Sequence, residues 1–266
     1  MTAAALPASV LGWRTRLRRL IALTATEARL FLRDVPSAIF AVVLPAALLL
    51  GVGYGIPGMR ETIPDGPWAG AQLIHAYAPA AFAMVIATPA LSTLPVAVAT
   101  YREQGVLRRL STTPIRPQAV LAAQVAVNAT ALLVAYVLAV IACVVAFDLP
   151  APRQPVTAAL ALALGTAATF GVGLLIAARA RKTSVATTLG MVTYFPLLFF
   201  SGIWTPGPTM PEVVRTVAGY TPLGAASQAL EAAWFSETFP ARQVFVMAVF
   251  VGVLYPVAAK LFRWSS

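Results

Sequence analysis

Charged side chains in the interior of the chain are concentrated in one stretch, Thr100–Pro117, termed the charged segment, which lies between two strongly apolar regions. Its charged residues, and the apolar residues among them, are Arg102, Glu103, Arg108, Arg109, Arg116, Val106, Leu107 and Leu110. Guanidinium groups form forked pairs with carboxylates and leucines offer an apolar ridge, so these residue types suit docking against another polypeptide. We expect a short helix over 103–110, weakened by Gly105 and ended by the Thr113–Pro114 step. The alternative is a solvated loop with ordinary charges.

The sequence contains no recognisable set of catalytic or nucleotide-binding residues. No apolar span has Asp, Glu, Lys, Arg or His in its interior, which disfavours ion-driven transport and excludes intramembrane proteolysis by paired aspartates or a metal. His75 and Cys143 are the only residues of their kinds, so we expect no metal site. No G-x-x-x-x-G-K-S/T run offers a phosphate loop. We therefore expect no enzyme activity and no cofactor in this chain, and energy for uphill movement must come from another polypeptide.

The composition is that of a membrane protein. Hydrophobic residues make up 59 % of the 266 positions and charged residues 11 %, and the mean hydropathy is +0.82. An ordinary soluble domain has about 25 % charged residues, so this chain lacks the polar surface that a soluble protein needs. The net charge of +10 lies beside the apolar segments, which indicates orientation in a bilayer and no nucleic-acid partner.

We predict one all-α transmembrane domain over 1–266 with six spans. The spans are expected at about 37–56, 73–99, 117–147, 156–178, 184–203 and 241–259. Before them, Trp13 to Arg33 has apolar residues at steps of three or four and is predicted to be an amphipathic helix in the headgroup layer. Three prolines within 73–99 predict a kinked or locally unwound helix. Two short outer helices are expected over 211–234, with Thr221 as the N-cap of the second.

The distribution of Lys and Arg predicts the orientation. Six lie in the N-terminal arm, four in the charged segment, three at 179–182 and two at the C-terminus, against four on the opposite side, which accounts for all 19. Positive residues favour the cytoplasmic side, so both termini and the charged segment are expected there.

Two sets of residues are candidates for a substrate path. Gln124 and Asn128 are four apart and share a helix face, which suits either hydrogen bonding between helices or the lining of a path. Tyr194, Phe195 and Phe199 suit flat apolar or cationic ligands through stacking. Core packing or lipid contact explains the three aromatics equally well.

Several motifs resemble those of a known family. Glu103-Gln-Gly-Val-Leu-Arg-Arg-Leu-Ser-Thr-Thr-Pro114, followed by Pro117 and Leu121-Ala-Ala-Gln124, resembles the signature of type-2 ABC exporter permeases, most of all the daunorubicin-resistance-type drug-efflux permeases. Phe200-Ser-Gly-Ile-Trp-Thr-Pro206 is similar to the family motif that ends the fifth span. Met210–Leu223 is similar to the proline-bounded outer helices of that family.

The resemblance implies a complex of two permeases, identical or related, and two cytoplasmic ATPases that bind ATP and magnesium, in a bacterial plasma membrane. It also implies that a coupling helix at about 102–112 docks on the ATPase. The docking residues carried onto this sequence are Arg102, Glu103, Gly105, Leu107, Arg108, Arg109, Leu110, Thr113 and Pro114.

The expected function is ATP-driven export of a hydrophobic small molecule or antibiotic, with membrane lipid as the surrounding partner. Export of a lipid-linked polysaccharide or envelope glycolipid is the alternative within the same class. A non-transporting assembly or sensor subunit, which uses the charged segment only for docking, is the alternative from another class.

Overall fold

The computed structural model describes residues 13–64, 68–106, 117–206 and 209–261, and these residues form a helical bundle without a strand. The helices are α1 (Trp13–Arg33), α2 (Val35–Val42), α3 (Leu44–Gly55), α4 (Leu73–Ala87), α5 (Leu94–Glu103), α6 (Pro117–Phe147), α7 (Pro155–Arg179), α8 (Thr183–Ser201), α9 (Glu212–Ala218), α10 (Pro222–Phe235) and α11 (Ala241–Leu261). A π-helical turn, Thr88–Thr93, joins α4 to α5. The predicted all-α class is confirmed.

Five helical stretches in the described part of the chain are long and apolar enough to cross a membrane. They are Leu73–Glu103, Ala122–Phe147, Pro155–Arg179, Thr183–Ser201 and Ala241–Leu261. The segment predicted as the first of six spans, 37–56, instead forms the two shorter helices α2 and α3. The interruption at Val43 lies two residues before Pro45, which has no N–H to continue the hydrogen-bond ladder. A sixth crossing through this kinked pair stays a prediction.

The central helix of the bundle is α4. Every residue from Ile74 to Ala87 is buried, whereas α11 buries only three of its residues and exposes an apolar surface that suits lipid. After α4, the chain forms the π-helical turn, which contains Pro89. This turn is the distortion of the helix that the three prolines within 73–99 predict. The carbonyls of Ala90 and Leu91 in this turn lie against Gly173 and Gly190, where a Cβ atom would overlap them. The bulged turn therefore needs glycine on both α7 and α8.

Helix α10, the second of the two short helices expected at the outer surface, is packed inside the bundle. Ten of its 14 residues are buried, and its Ser227 hydroxyl donates to the carbonyl of Ser201 at 2.7 Å. The predicted N-cap is confirmed, because the Thr221 hydroxyl accepts from the amide of Gly224 at 3.1 Å. An amphipathic helix at a surface would bury one face, so α10 belongs to the core.

Candidate functional site

The last turn of α5 contacts three other helices, α1, α7 and α8. Thr100 and Glu103 bind the start of α8, Arg102 binds the end of α7, and Tyr101 binds α1. These contacts, termed the junction, involve the first four residues of the charged segment. The beginning of that segment is therefore held by hydrogen bonds to α1, α7 and α8.

Arg102 caps the C-terminal end of α7. Its Nη1 donates to the carbonyl oxygen of Ala177 at 3.0 Å and also to that of Ala180. Carbonyls at the end of a helix lack intrahelical partners and carry the negative end of the helix dipole, so a cation there is favoured. The predicted docking residue Arg102 thus makes hydrogen bonds within its own chain.

Glu103 binds the other side of the same turn. Its Oε2 accepts from the backbone amide of Thr183 at 2.9 Å and from the Thr183 hydroxyl at 2.7 Å. The hydroxyl oxygen of Thr100 lies 3.2 Å from that of Thr183. Because Thr183 begins α8, the carboxylate lies at a helix N-terminus, where negative charge is favoured.

A buried carboxylate joins α1 to the junction. Glu27 is 6 % exposed, and its Oε2 accepts from the Tyr101 hydroxyl at 2.6 Å and from Gln124 Nε2 at 2.7 Å. Gln124 Nε2 also donates to the Tyr101 oxygen at 3.3 Å. These three residues, termed the Glu27 triad, connect α1, α5 and α6. Neither Glu27 nor Tyr101 is predicted as a site residue; the available signal is an acidic residue on the apolar stripe of α1.

Gly105 follows the end of α5 within the charged segment. Its φ of +68° is a left-handed conformation that glycine adopts without steric cost, and it ends the helix. Arg102 and Glu103 therefore belong to the last turn of α5 and do not begin a separate helix. The remaining predicted docking residues lie outside the described residues: Leu107, Arg108, Arg109, Leu110, Thr113 and Pro114. Their docking role stays a prediction.

An apolar cavity of about 550 Å³ opens between α3, α4, the π-helical turn and α8. Its lining includes three methionines and four aromatic residues, which are Met59, Met84, Met191, Tyr77, Tyr194, Phe195 and Trp204. None of the described residues that line it carries a charge. The polar side-chain groups among the lining residues are the hydroxyls of Ser92, Tyr77 and Tyr194 and the indole N–H of Trp204. The cavity suits an apolar guest, because flexible methionines adapt their shape to a ligand and aromatic rings stack on it.

The three aromatic residues predicted for a substrate path have different positions. Tyr194 is buried, and its hydroxyl lies 3.1 Å from that of Thr88 in the π-helical turn. Phe195 lines the cavity, is 54 % exposed and packs edge-on against Tyr194 with the ring centroids 5.6 Å apart. Phe199 is 42 % exposed and packs against Phe200, outside the residues that line the cavity. Two of the three are thus brought together at one cavity.

The polar pair predicted on the third span lies at the junction end of the bundle. Gln124 belongs to the Glu27 triad, and Asn128, which is buried, donates from Nδ2 to the carbonyl of Gln124 at 2.8 Å. Neither residue lines the apolar cavity. Gln124 forms hydrogen bonds between helices, which is one of the two roles predicted for it. A place for Gln124 and Asn128 on a substrate path stays a prediction.

An ion pair lies at the opposite end of the bundle from the junction. Arg215 of α9 binds Glu231 of α10, with Nη2 and Oε1 2.5 Å apart. Gln228 donates to the backbone carbonyl of Arg215 at 2.7 Å and adds a second connection between the two helices. Burial raises the pKa of Glu231, and the Arg215 guanidinium opposes that shift without cancelling it. The pair therefore fixes α9 on α10 while the carboxylate is ionised.

His75 and Cys143 contribute to contacts within the bundle. Nε2 of His75 lies 2.7 Å from the carbonyl oxygen of Phe147 at the end of α6, and Cys143 is a buried free thiol. Within the described ranges, no group of three or more His, Cys, Asp or Glu residues is arranged to hold a metal. The geometry offers hydrogen bonding between helices and an apolar cavity.

These features define a multi-pass helical membrane protein with an uncharged cavity and a polar junction at one end. Residues 18–235 match the ABC-2 type transporter family, so the chain belongs to this family and is a permease of an ABC transporter. Permease domains of the family lack an ATPase site and associate with ABC ATPase subunits. Comparison with curated proteins gave no match.

Proposed function

We propose that this permease exports a hydrophobic small molecule, such as a planar antibiotic that is neutral or carries a delocalised cation. The observation that carries the proposal is the cavity between α3, α4 and α8, whose described lining residues are largely methionine, aromatic and aliphatic and include none with a charge. An apolar ligand gains free energy by leaving water for such a site, and the rings of Tyr194 and Phe195 can stack on it. This chemistry fits the daunorubicin-resistance-type efflux permeases that the motifs resemble.

Export of a lipid-linked polysaccharide fits the cavity less well. A lipid-linked sugar carries phosphate charges between its lipid and its glycan. Such charges are costly to bury without a cation or several hydrogen-bond donors. No Lys or Arg is among the described residues that line the cavity, so we favour the small hydrophobic substrate over the glycolipid.

The charged segment is the proposed docking site for the ATPase. The hydrogen bonds of the junction attach its first residues to α7 and α8. Movement that a docked ATPase imposes on the segment can therefore be passed to these two helices. Since Arg102 and Glu103 make these internal contacts, we assign them to transmitting movement and expect Leu107, Arg108, Arg109 and Leu110 to contact the ATPase. ATP and magnesium are expected on that partner.

The proposed assembly contains two permeases in a bacterial plasma membrane, with both termini and the charged segment in the cytoplasm. The excess of Lys and Arg on that side supports this orientation. Phe195 and Trp204 at the cavity are more than half exposed in the single chain. A second permease, identical or related, would cover them and close the cavity along α3 and α8.

Reconstitution with the ABC ATPase that co-purifies with the permease tests the proposal. ATP hydrolysis and uptake into inverted vesicles are measured with three probes of similar size: a neutral aromatic, a planar cationic anthracycline and an anionic glycolipid. We expect the first two to stimulate hydrolysis and to be transported. Stimulation by the glycolipid alone would support glycan export. A stable complex that moves none of the three would support an assembly or sensor role.

A further inference from the structure

Glu27 is a buried carboxylate on helix α1. Between Ile21 and Arg33 it is the only buried residue, although its neighbours on both sides include exposed polar side chains such as Thr26 and Arg29. Burial of a carboxylate is costly unless hydrogen bonds compensate it. Two donors within 2.7 Å supply that compensation, so the position of α1 depends on them.

The two donors come from opposite sides of the charged segment. Tyr101 belongs to α5, which enters the segment, and Gln124 belongs to α6, which leaves it. A single oxygen of Glu27 accepts from both, and Gln124 donates to Tyr101 at 3.3 Å, so the three side chains form a closed set of contacts. A rotation or separation of α5, α6 or α1 relative to the others breaks at least one of these bonds.

We propose that Glu27 is a positioning residue for energy coupling, which joins α1 and the two ends of the charged segment into one moving unit. The inference rests on the proposed docking of the ATPase at this segment. Movement of the docked segment is then passed through Arg102 and Glu103 to α7 and α8, and through Glu27 to α1 at the same time. Without Glu27, the segment moves independently of α1, and ATP is hydrolysed with less transport.

The first test measures coupling in the complete complex with its co-purified ATPase. We expect Glu27→Ala to lower the amount of probe moved per ATP about tenfold, which corresponds to ~1.4 kcal/mol. Tyr101→Phe removes only one hydroxyl and is expected to act in the same direction. The double variant should be no worse than Glu27→Ala alone, because both changes remove the same interaction.

Thr26→Ala is the matched control. Thr26 adjoins Glu27 on α1, is exposed, and its hydroxyl donates within the helix to the carbonyl of Ala22 at 3.0 Å. Its replacement removes a hydrogen bond of α1 without touching the Glu27 triad, so transport per ATP should match that of the unmodified chain. If Glu27→Ala prevents assembly of the complex, the comparison of transport per ATP between Tyr101→Phe and Thr26→Ala tests the inference in its place.

The second test measures the distance between α1 and the charged segment directly and does not need transport. Spin labels are placed at Thr26→Cys and Gln104→Cys, both exposed, in a Cys143→Ala background that removes the only native cysteine. We expect a narrow distance distribution between the labels, in the permease alone and in each nucleotide state of the complex, and a broad one with Glu27→Ala. A distribution unchanged by Glu27→Ala, or equal transport per ATP in Glu27→Ala and Thr26→Ala, would overturn the inference. An unmodified complex that hydrolyses ATP without moving any probe would instead refute the proposed function.

Discussion

Arg102 and Glu103 are neighbours in sequence, and their side chains bind the two sides of one interhelical turn. The guanidinium of Arg102 donates to the carbonyl of Ala177 near the end of α7, and the carboxylate of Glu103 accepts from the amide of Thr183 at the start of α8. Each charge lies at the helix end whose dipole favours it. The end of α5 is thereby attached to α8, the helix that contributes Tyr194 and Phe195 to the cavity.

The first prediction separates the structural role of Arg102 from the docking role of the residues that follow. Arg102→Ala should lower the free energy of unfolding by about 2 kcal/mol, because it removes charged hydrogen bonds from the end of α7. The folded fraction should still bind the ATPase. Thermal unfolding of the purified permease and co-purification of the ATPase measure the two effects.

The paired change Leu107→Asp with Arg108→Glu should give the opposite pattern. It replaces a leucine and a cation by carboxylates, so the ATPase should be lost while the midpoint of thermal unfolding stays close to that of the unmodified chain. Retention of the ATPase and of transport by this variant would contradict docking at the charged segment.

The second prediction concerns the glycines that accommodate the π-helical turn. Gly173→Ala places a Cβ on the carbonyl of Ala90, a backbone atom that cannot rotate away as a side chain does. We expect a loss of about 1–3 kcal/mol in the free energy of unfolding, the usual cost of overpacking. Thermal unfolding followed by size-exclusion chromatography measures it.

Gly252→Ala in α11 is the control for the glycine variant, because its added methyl group meets no atom within 4 Å. It should unfold at the same temperature as the unmodified chain or slightly above, since alanine is the better helix former. Equal midpoints of thermal unfolding for the two alanine variants would show that the π-helical turn moves away from α7 without loss of stability.

Much of this fold is predictable because membrane spans are a local property of the sequence. The helix Pro117–Phe147 matches the predicted third span of 117–147, and α1 matches the predicted helix of 13–33. Helix length follows from runs of apolar residues, and these are visible without tertiary contacts. The division of the first predicted span into α2 and α3 has a local cause as well, Pro45, but the sequence alone does not say how far one proline interrupts a helix.

The contacts of the junction are less predictable because they join residues far apart in the chain. Glu27 and Tyr101 are separated by 74 positions, and Arg102 and Ala177 by 75. Charge alone assigns Arg102 to a partner protein, since nothing local in the sequence marks the end of α7 as its acceptor. The burial of α10 is hard to predict for a similar reason: prolines and short helices suggest a surface loop, whereas packing against five helices decides its place.

The third prediction uses two phenylalanines on one helix. Phe195→Ala should lower substrate-stimulated ATP hydrolysis about fivefold, as expected from the loss of ~1 kcal/mol of aromatic contact with the ligand. Phe199 lies one turn away, is similarly exposed and does not line the cavity, so Phe199→Ala should change the stimulation little. Substrate titrations of the reconstituted complex measure both. Equal effects of the two changes would assign the aromatics to packing or lipid contact and not to the substrate.

The fourth prediction follows from the carboxylate of Glu231, whose side chain is 12 % exposed. Burial raises the pKa of this group in the folded chain, so between the ordinary carboxyl value and the raised value the folded protein holds a proton that the unfolded chain has released. The stability that the site contributes is therefore full at acidic pH and is lost as the pH rises through the raised pKa. Glu231→Gln has no such titration. The midpoint of thermal unfolding of the unmodified chain, relative to that of Glu231→Gln, should fall as the pH is raised from acidic to neutral values.

Glu237→Gln removes an exposed carboxylate just beyond α10 and serves as the control for the Glu231→Gln variant. A midpoint of the unmodified chain that instead rises relative to that of Glu231→Gln as the pH is raised would mean that the ion pair with Arg215, and not burial, governs this carboxylate.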